Sequence, residues 1–305
     1  MGVCEVMTLV KLIEDTYLLR GSPVTLIRVT GNSACIIDPG SSSERGVEIK
    51  RLISKMGVEK IMSLITHHHS DHVYALTTFT PSEVYVPYGE ELLVTGKSFR
   101  VFLDYGLDLT PVNSLASSII APDLKLNNVL TLRHSDEICG FIAIDLRGHS
   151  HAHTGHSLGD EILYVGDALF GSRVLERVKI PYHSDYAAFI SSLNRIKELV
   201  TRTSYKYIVL GHGPLITSVN DLLRLIDLNM RYLETTRELV ISLLKEPRTL
   251  DQLTALVLRK LNIEETPLSY LLTHTTLRAI INNLALTRKI EIYVEGGQLL
   301  FRSLG

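Results

Sequence analysis

Four histidines and an aspartate crowd into residues 67–72 of this 305-residue chain, which reads Thr66-His67-His68-His69-Ser70-Asp71-His72. In extended backbone alternate side chains share a face, so His67, His69 and Asp71 can point one way while His68 and Ser70 point the other. Three nitrogen or oxygen donors on one edge, with His72 just behind, suit one or two borderline transition metals such as zinc. Imidazoles and carboxylates at this density make poor core material, because such groups are seldom buried without partners. The competing reading is an exposed histidine-rich loop with incidental metal affinity. The rest of the chain weighs against it.

The apolar run Ile61-Met62-Ser63-Leu64-Ile65 reads as a buried strand that delivers the heptad to a loop. Three further runs end in the same manner. Phe141 to Leu146 leads into Gly148-His149-Ser150-His151-Ala152-His153-Thr154-Gly155-His156, Ile162 to Val165 leads into Gly166-Asp167, and Tyr207 to Leu210 leads into Gly211-His212-Gly213-Pro214. Open α/β folds gather their sites at the C-terminal ends of strands. Four strand ends bearing metal-type side chains therefore predict one shared site.

As a set, H-x-H-x-D-H, the glycine–histidine segment, the strand-end aspartate and Gly-His-Gly-Pro resemble the metallo-β-lactamase superfamily of hydrolases, over roughly residues 7–218. Cys35-Ile36-Ile37-Asp38-Pro39-Gly40 is similar to the family's early strand, whose terminal aspartate braces the metal loop. The resemblance implies an α/β fold, an αββα sandwich of two mixed sheets flanked by helices. It also implies two divalent metal ions, zinc first and iron or manganese as alternatives. Carried over position by position, His67, His69 and His149 would hold the first ion, Asp71, His72 and His212 the second, and Asp167 would bridge. A hydroxide held by the two ions would attack the substrate, and Asp71 would orient it and pass on its proton.

The third motif departs from the family. Where relatives usually carry a proline and a glycine between two histidines four residues apart, this chain has His151 and Ala152 among four histidines between 149 and 156. His149 is the expected ligand, because it follows a glycine at the strand end. It also leaves room for a hairpin turning at Gly159-Asp160 and returning to Asp167. His153 is then expected to support the site, His151 is an extra imidazole near the mouth, and His156 is a surface or packing residue. Redox diiron members typically carry Glu where this chain has His69, so hydrolysis is the expected chemistry. An iron-dependent sulfur dioxygenase is an alternative.

The elements that must position these residues are legible too. A strand meander is expected over Met7–Glu14, Tyr17–Arg20, Val24–Thr30 and Ala34–Asp38, with a turn at Gly31-Asn32. Helical spacing marks Glu44–Met56, and strands recur at Glu83–Val86 and Val129–Leu132. Residues 88–118 form a candidate lid, with Tyr88, Arg100, Tyr105 and Asp108 as side chains that could face substrate. Arg173, Arg177, Lys179, Tyr182 and His183 are further candidates near the mouth. After Pro214 a long amphipathic helix is expected over Val219–Leu244, ended by Pro247. Two more helices follow, one capped by Thr249, and then a hairpin with Glu295-Gly296-Gly297 at its turn. That order resembles a winged helix, giving a division into a catalytic domain (1–218), a connecting helix (219–246) and a winged-helix-like domain (247–305). Over residues 231–305 there are ten Lys/Arg and eight Asp/Glu. So weak an excess favours a packing or dimerisation module over one that neutralises phosphates.

Composition narrows the function class. Hydrophobic content of 45%, charged content of 21% and a net charge of −2 describe an ordinary globular chain with no global pull toward nucleic acid or acidic membranes. No transmembrane stretch or signal layout is evident, and three scattered cysteines argue against a disulfide framework, so a cytoplasmic protein is expected. The Thr66-His67-His68-His69 spelling looks like that of hydroxyacylglutathione hydrolases, which are thioesterases, although their glutathione-binding C-terminal portion is not recognisable here. The expected substrate is a small acyl ester, thioester or lactone. A single-strand endoribonuclease is the runner-up, and a homodimer is a candidate assembly.

Overall fold

The structure, a computed structural model, describes residues 9–106 and 122–305. Cys4, Asp108 and the part of the 88–118 segment beyond residue 106 lie outside them. The chain opens with a meander of β1 (Leu9–Ile13), β2 (Thr16–Leu19), β3 (Thr25–Thr30) and β4 (Ser33–Ile37). Antiparallel pairing closes around Gly31, whose φ of +60° a two-residue hairpin turn requires. Helix α1 (Ser43–Lys55) crosses over, and β5 (Lys60–Leu64), β6 (Glu83–Pro87) and β7 (Val129–Leu132) extend the sheet in parallel. The resulting seven-stranded sheet is mixed.

The second sheet has five strands: β8 (Glu137–Ile138), β9 (Phe141–Asp145), β10 (Thr154–Leu158) and β11 (Ile162–Gly166) run antiparallel, and β12 (Tyr207–Leu210) joins β11 in parallel. Strand alternation explains why the two sheets stack. In β4, Cys35 and Ile37 face the second sheet and pack with Ile162, Tyr164 and Val209, while Ala34 and Ile36 face α1 and meet Ile49 and Ile53. Strands buried on both faces read as continuous apolar runs, as β4 does. On the far side, Phe189, Leu193, Ile196 and Val200 of a helix over Tyr186–Arg202 cover Ile144, Leu163 and Val165. The outcome is the expected helix–sheet–sheet–helix sandwich. The two-residue strand β8 is too short for any sequence period to reveal.

Numbered on from α1, the helices are α2 (Ser70–Val73), α3 (Glu91–Thr95), α4 (Lys97–Tyr105), α5 (Ser172–Val178), α6 (Tyr186–Arg202), α7 (Val219–Leu243), α8 (Leu250–Lys260) and α9 (Pro267–Leu286). Thr249 caps α8 as expected: its hydroxyl accepts from Gln252 N, and Gln252 Oε1 accepts from Thr249 N, a reciprocal capping box. A hairpin of β13 (Ile290–Glu295) and β14 (Gln298–Ser303) follows. The apolar core beneath the second sheet runs on without a break through Leu222, Ile226 and Leu233 of α7 to Leu253, Leu277, Ile280 and Phe301. The apolar face of α9 is thus spent on packing. Among the described residues no helix is long and apolar enough to cross a membrane.

Candidate metal centre

The metal loop is held from behind by Asp38, a fully buried carboxylate just past β4. Thr66 N donates to its Oδ1 at 2.8 Å, and Thr66 Oγ1 donates to its Oδ2 at 2.7 Å. His72 Nδ1 lies 2.8 Å from the same Oδ2, and the Tyr164 hydroxyl 3.0 Å. One carboxylate thereby fastens the end of β5, the short α2 and β11 together. Because Thr66 Oγ1 spends its hydrogen on Asp38, it accepts from His67 Nδ1, 2.9 Å away. His149 Nδ1 donates to Tyr182 O at 3.1 Å, and His212 Nδ1 faces Ser22 Oγ at 2.7 Å. Occupying Nδ1 in each ring leaves the Nε2 lone pair of His67, His72, His149 and His212 turned inward, which is the usual way a metal-binding histidine is oriented.

The inward atoms converge. His67, His69 and His149 offer nitrogens within 4.8 Å of one another; so do the ligand atoms of His67, His72 and Asp167, and those of Asp71, His72 and His212. His149 Nε2 is 2.9 Å from His69 Nδ1, and His212 Nε2 is 2.9 Å from Asp71 Oδ2. Asp167 lies between the two groups, its Oδ2 at 3.4 Å from His212 Nε2, 3.5 Å from His72 Nε2 and 3.6 Å from His149 Nε2. Ligand atoms around a tetrahedral zinc stand roughly 3.3 Å apart, from metal–ligand bonds of about 2.0–2.1 Å. The observed spacings match. His67 Nε2, His72 Nε2 and Asp167 Oδ1 are buried with no hydrogen-bond partner, a costly state that a cation would relieve.

Charge is distributed to suit this. Burial, and then the neighbouring imidazoles, hold His67 well below the ordinary histidine pKa. The same two causes put His69 at about 4 and His149 at about 3, so all three stay in the neutral, ligating form. At the second group burial is overcome: Asp38, Asp167 and Asp71 raise His72, and Asp167 and Asp71 raise His212. Asp167 and Asp71 are in turn lowered, against burial, by His212 and His72.

His68 turns away from the centre, as the alternation requires. Its Nδ1 meets Glu90 Oε2 at 3.0 Å and its Nε2 meets Asp104 Oδ1 at 3.0 Å, so that, against burial, Asp104 and Glu90 raise it to about 10. Glu90 and Asp104 carry no motif, because each matters only through its place beside His68, and sequence reasoning missed both. Tyr182, a mouth candidate, lies with its ring 5.3 Å from the His69 and His149 rings.

The four histidines of the third motif separate cleanly. His153 is fully buried and its Nε2 accepts from Asp167 N at 3.1 Å. His151 is exposed and lines the cavity at the mouth. His156 is fully buried between the sheets, so it takes the packing role and not the surface one. Arg100 is not a substrate contact: it is buried and donates to Leu93 O, Val94 O and Ser70 Oγ, tying α3 and α4 to the metal loop. Arg173, Arg177 and Lys179 sit exposed on or just after α5, away from the cavity lining, and His183 is buried against Pro181 O. Tyr88 is exposed beneath Arg133.

Gly148 sets the approach of His149. It has φ of +124°, its carbonyl accepts from Ser184 N and Asp185 N, and a Cβ there would stand 2.2 Å from Phe189 N. Gly148→Ala therefore combines backbone strain with a collision against α6. It is expected to cost about 3 kcal/mol, read as a lowered thermal unfolding midpoint. A midpoint within a degree or so of the parent would show that the loop relaxes freely.

A cavity of about 320 Å³ opens onto His69 and His149 and is lined further by Asp104, Tyr182, Arg147 and Arg278. Arg278 and Thr275 come from α9, so the C-terminal region forms one wall of the mouth. Among the described residues its positive groups form no continuous track, since Arg147 is paired with Asp145 at 2.6 Å.

Residues 18–212 match the family model described as the metallo-beta-lactamase superfamily. A probable metallo-hydrolase of Streptococcus pyogenes is 27% identical over 211 residues, 67% of this chain and 81% of that protein. A hydroxyacylglutathione hydrolase of Cupriavidus metallidurans is 25% identical over 147 residues, 47% of each chain, so this chain spans about half of that relative. Two crystal structures share the fold over nearly the whole chain. A metallo-beta-lactamase family protein of Thermus thermophilus superposes with a TM-score of 0.65 at 19% identity, covering 97% of this chain and 98% of its own. A beta-lactamase domain protein of Burkholderia ambifaria gives 0.71 at 16% identity, covering 99% and 96%.

Proposed function

Because the chain belongs to the metallo-β-lactamase superfamily and is a metal-dependent hydrolase, we propose that it cleaves a small acyl ester, thioester or lactone at two divalent metal ions, zinc first. The observation that carries the reading is Asp167 Oδ2 standing within 3.4–3.6 Å of imidazole nitrogens from both ligand groups. In this reading His67, His69 and His149 hold one ion, Asp71, His72 and His212 the other, and Asp167 both. Imidazole-rich ligand sets suit zinc.

When bound, a pair of such ions lowers the pKa of water to near neutrality and polarises the substrate's oxygen. The chain's own residues do the rest. Asp71 is partly exposed, its Oδ2 held by His212 Nε2 at 2.9 Å. There it can accept a proton from the attacking water and deliver it to the leaving atom. Thr66, Asp38, Tyr182 and Ser22 fix the rings so that no reorganisation is needed during the reaction. The cavity sets apolar Leu103 and Ala188 among many polar side chains, Arg147, Tyr182 and Arg278 included, which suits a small acyl group carrying polar substituents. An RNA groove needs a basic track with stacking surfaces. Thioesters lead the series, in keeping with the hydroxyacylglutathione hydrolase among the relatives.

One zinc-loaded preparation assayed against an acyl-thioester, ester and lactone panel and a labelled single-stranded RNA tests the reading, with Asp71→Ala as control. Turnover of an acyl substrate that falls about a hundredfold or more in the variant is expected. RNA cleavage that vanishes in Asp71→Ala, with no acyl substrate turned over, would overturn it in favour of a nuclease.

A further inference from the structure

Three sulfur atoms from three chain segments meet at a place that shares no residue with the histidine centre. Cys35 of β4 and Met62 of β5 are register partners in neighbouring parallel strands, so their side chains stand side by side on the face turned toward the second sheet. From the second sheet Cys139, in the turn between β8 and β9, brings its Sγ to 3.8 Å from Met62 Sδ. Cys35 and Cys139 belong to the same apolar cluster between the two sheets. All three line a cavity of about 290 Å³ with Arg28, Thr30 and Ser33. Cys35 is almost wholly buried, whereas Cys139 is partly exposed and gives solvent an entry.

We propose that Cys35, Cys139 and Met62 form a three-sulfur site for a soft monovalent cation of the copper(I) class. Two thiolates and a thioether select such a cation over the harder divalent ions that imidazole and carboxylate prefer. Geometry agrees: in a trigonal site with metal–sulfur bonds of about 2.3 Å the sulfurs stand about 4 Å apart. The edge between Cys139 Sγ and Met62 Sδ, 3.8 Å, is close to that. Binding releases the two thiol protons and involves no electron transfer. It leaves a singly negative cluster beside Arg28, whose Nη1 already donates to Cys139 O at 2.7 Å and whose Nε is shared with Asp15. The neighbouring Cys35 thiol, and then the Arg28 charge, hold the Cys139 thiol below its ordinary pKa against burial, while burial pushes the Cys35 thiol well above its own, so the ion must displace that proton. Because Cys35 and Met62 belong to one sheet and Cys139 to the other, the bound ion would clamp the sandwich.

The test is an anaerobic copper(I) titration of the reduced, zinc-loaded full chain carrying Cys4→Ser, against the chromophoric competitor bicinchoninate. One copper equivalent held against the competitor, with a near-ultraviolet sulfur-to-copper band, is expected. Cys139→Ser should abolish that equivalent, and Met62→Leu should weaken it about tenfold or more. Both variants should keep parental circular dichroism and zinc content. Retention of the copper equivalent in Cys139→Ser would assign it to the histidines and overturn the proposal. So would closure of a Cys35–Cys139 disulfide, seen in the intact mass, in place of copper binding.

Discussion

Asp167→Asn is expected to retain about one equivalent of metal instead of two, and to lower kcat/KM about a thousandfold or more, close to 4 kcal/mol of transition-state stabilisation. The reason lies in the spacing around Oδ2, where nitrogens of His72, His149 and His212 all stand within 3.6 Å. An amide keeps the shape but removes the negative charge that lets one side chain serve both groups of ligands. Gly211 shows how tightly the carboxylate is held, since a Cβ there would sit 2.1 Å from Asp167 Oδ1. Asp160→Asn, in the exposed turn between β10 and β11, serves as the control and should keep both metals and full activity. Elemental analysis and steady-state kinetics read the two variants side by side. Unchanged stoichiometry in Asp167→Asn would reduce Asp167 to a strand-end turn residue.

The second large effect is expected at a residue outside every motif. Glu90 is fully buried and accepts from His68 N at 2.7 Å, His68 Nδ1 at 3.0 Å, Ser150 Oγ at 2.5 Å and Ala152 N at 2.9 Å. Against burial, its neighbours hold its own pKa down to about 2, so it is charged at any working pH. Glu90→Ala removes one of the two carboxylates that hold the buried His68 imidazolium, leaving Asp104 alone on its far side, and strands three other donors. Breaking one partner of a buried ion pair costs about 3–5 kcal/mol, a fall of roughly 10 °C in unfolding midpoint for a domain of this size. Glu90→Gln, which keeps an acceptor oxygen, should lose less. Metal affinity should fall as well, because Glu90 joins the loop carrying His67 and His69 to the segment after His149. The chain of contacts continues outward from His68 to Asp104, whose carbonyl accepts from Thr275 Oγ1 on α9 at 2.6 Å. Scanning calorimetry of metal-free and metal-loaded protein checks both parts. A midpoint shift under about 2 °C in Glu90→Ala would mean that water replaces the carboxylate at little cost.

Much of this was legible in the linear chain. Side chains at strand ends answer to local rules. A run such as Ile61–Ile65 announces a buried strand, alternation past it separates His67 and His69 from His68, and ligand chemistry restricts which residues can follow. The apolar period of α7 and the Thr249 cap are equally local, since helix spacing and capping involve residues no more than four apart. Histidines and aspartates at four strand ends were therefore enough to expect one shared metal site, and the family they resemble implied a hydrolase and its sandwich. Function beyond that class is a matter of the cavity wall, and the wall is assembled from α4, α6 and α9, distant in sequence.

What the tertiary structure alone decided follows the same physical line. Glu90 and Asp104 are ordinary acidic residues until folding places them on either side of His68, and Arg100 is an ordinary surface candidate until its guanidinium is buried against two carbonyls. His151, His153 and His156 are alike in type and close in sequence, yet one lines the mouth, one receives the Asp167 amide and one packs between sheets. Cys35 and Cys139 are 104 positions apart, and only the stacking of two sheets makes them neighbours. Composition and spacing determine which chemistry a residue can do. Burial and long-range partners determine whether it does it, because the cost of an unpaired buried charge or donor is paid in three dimensions.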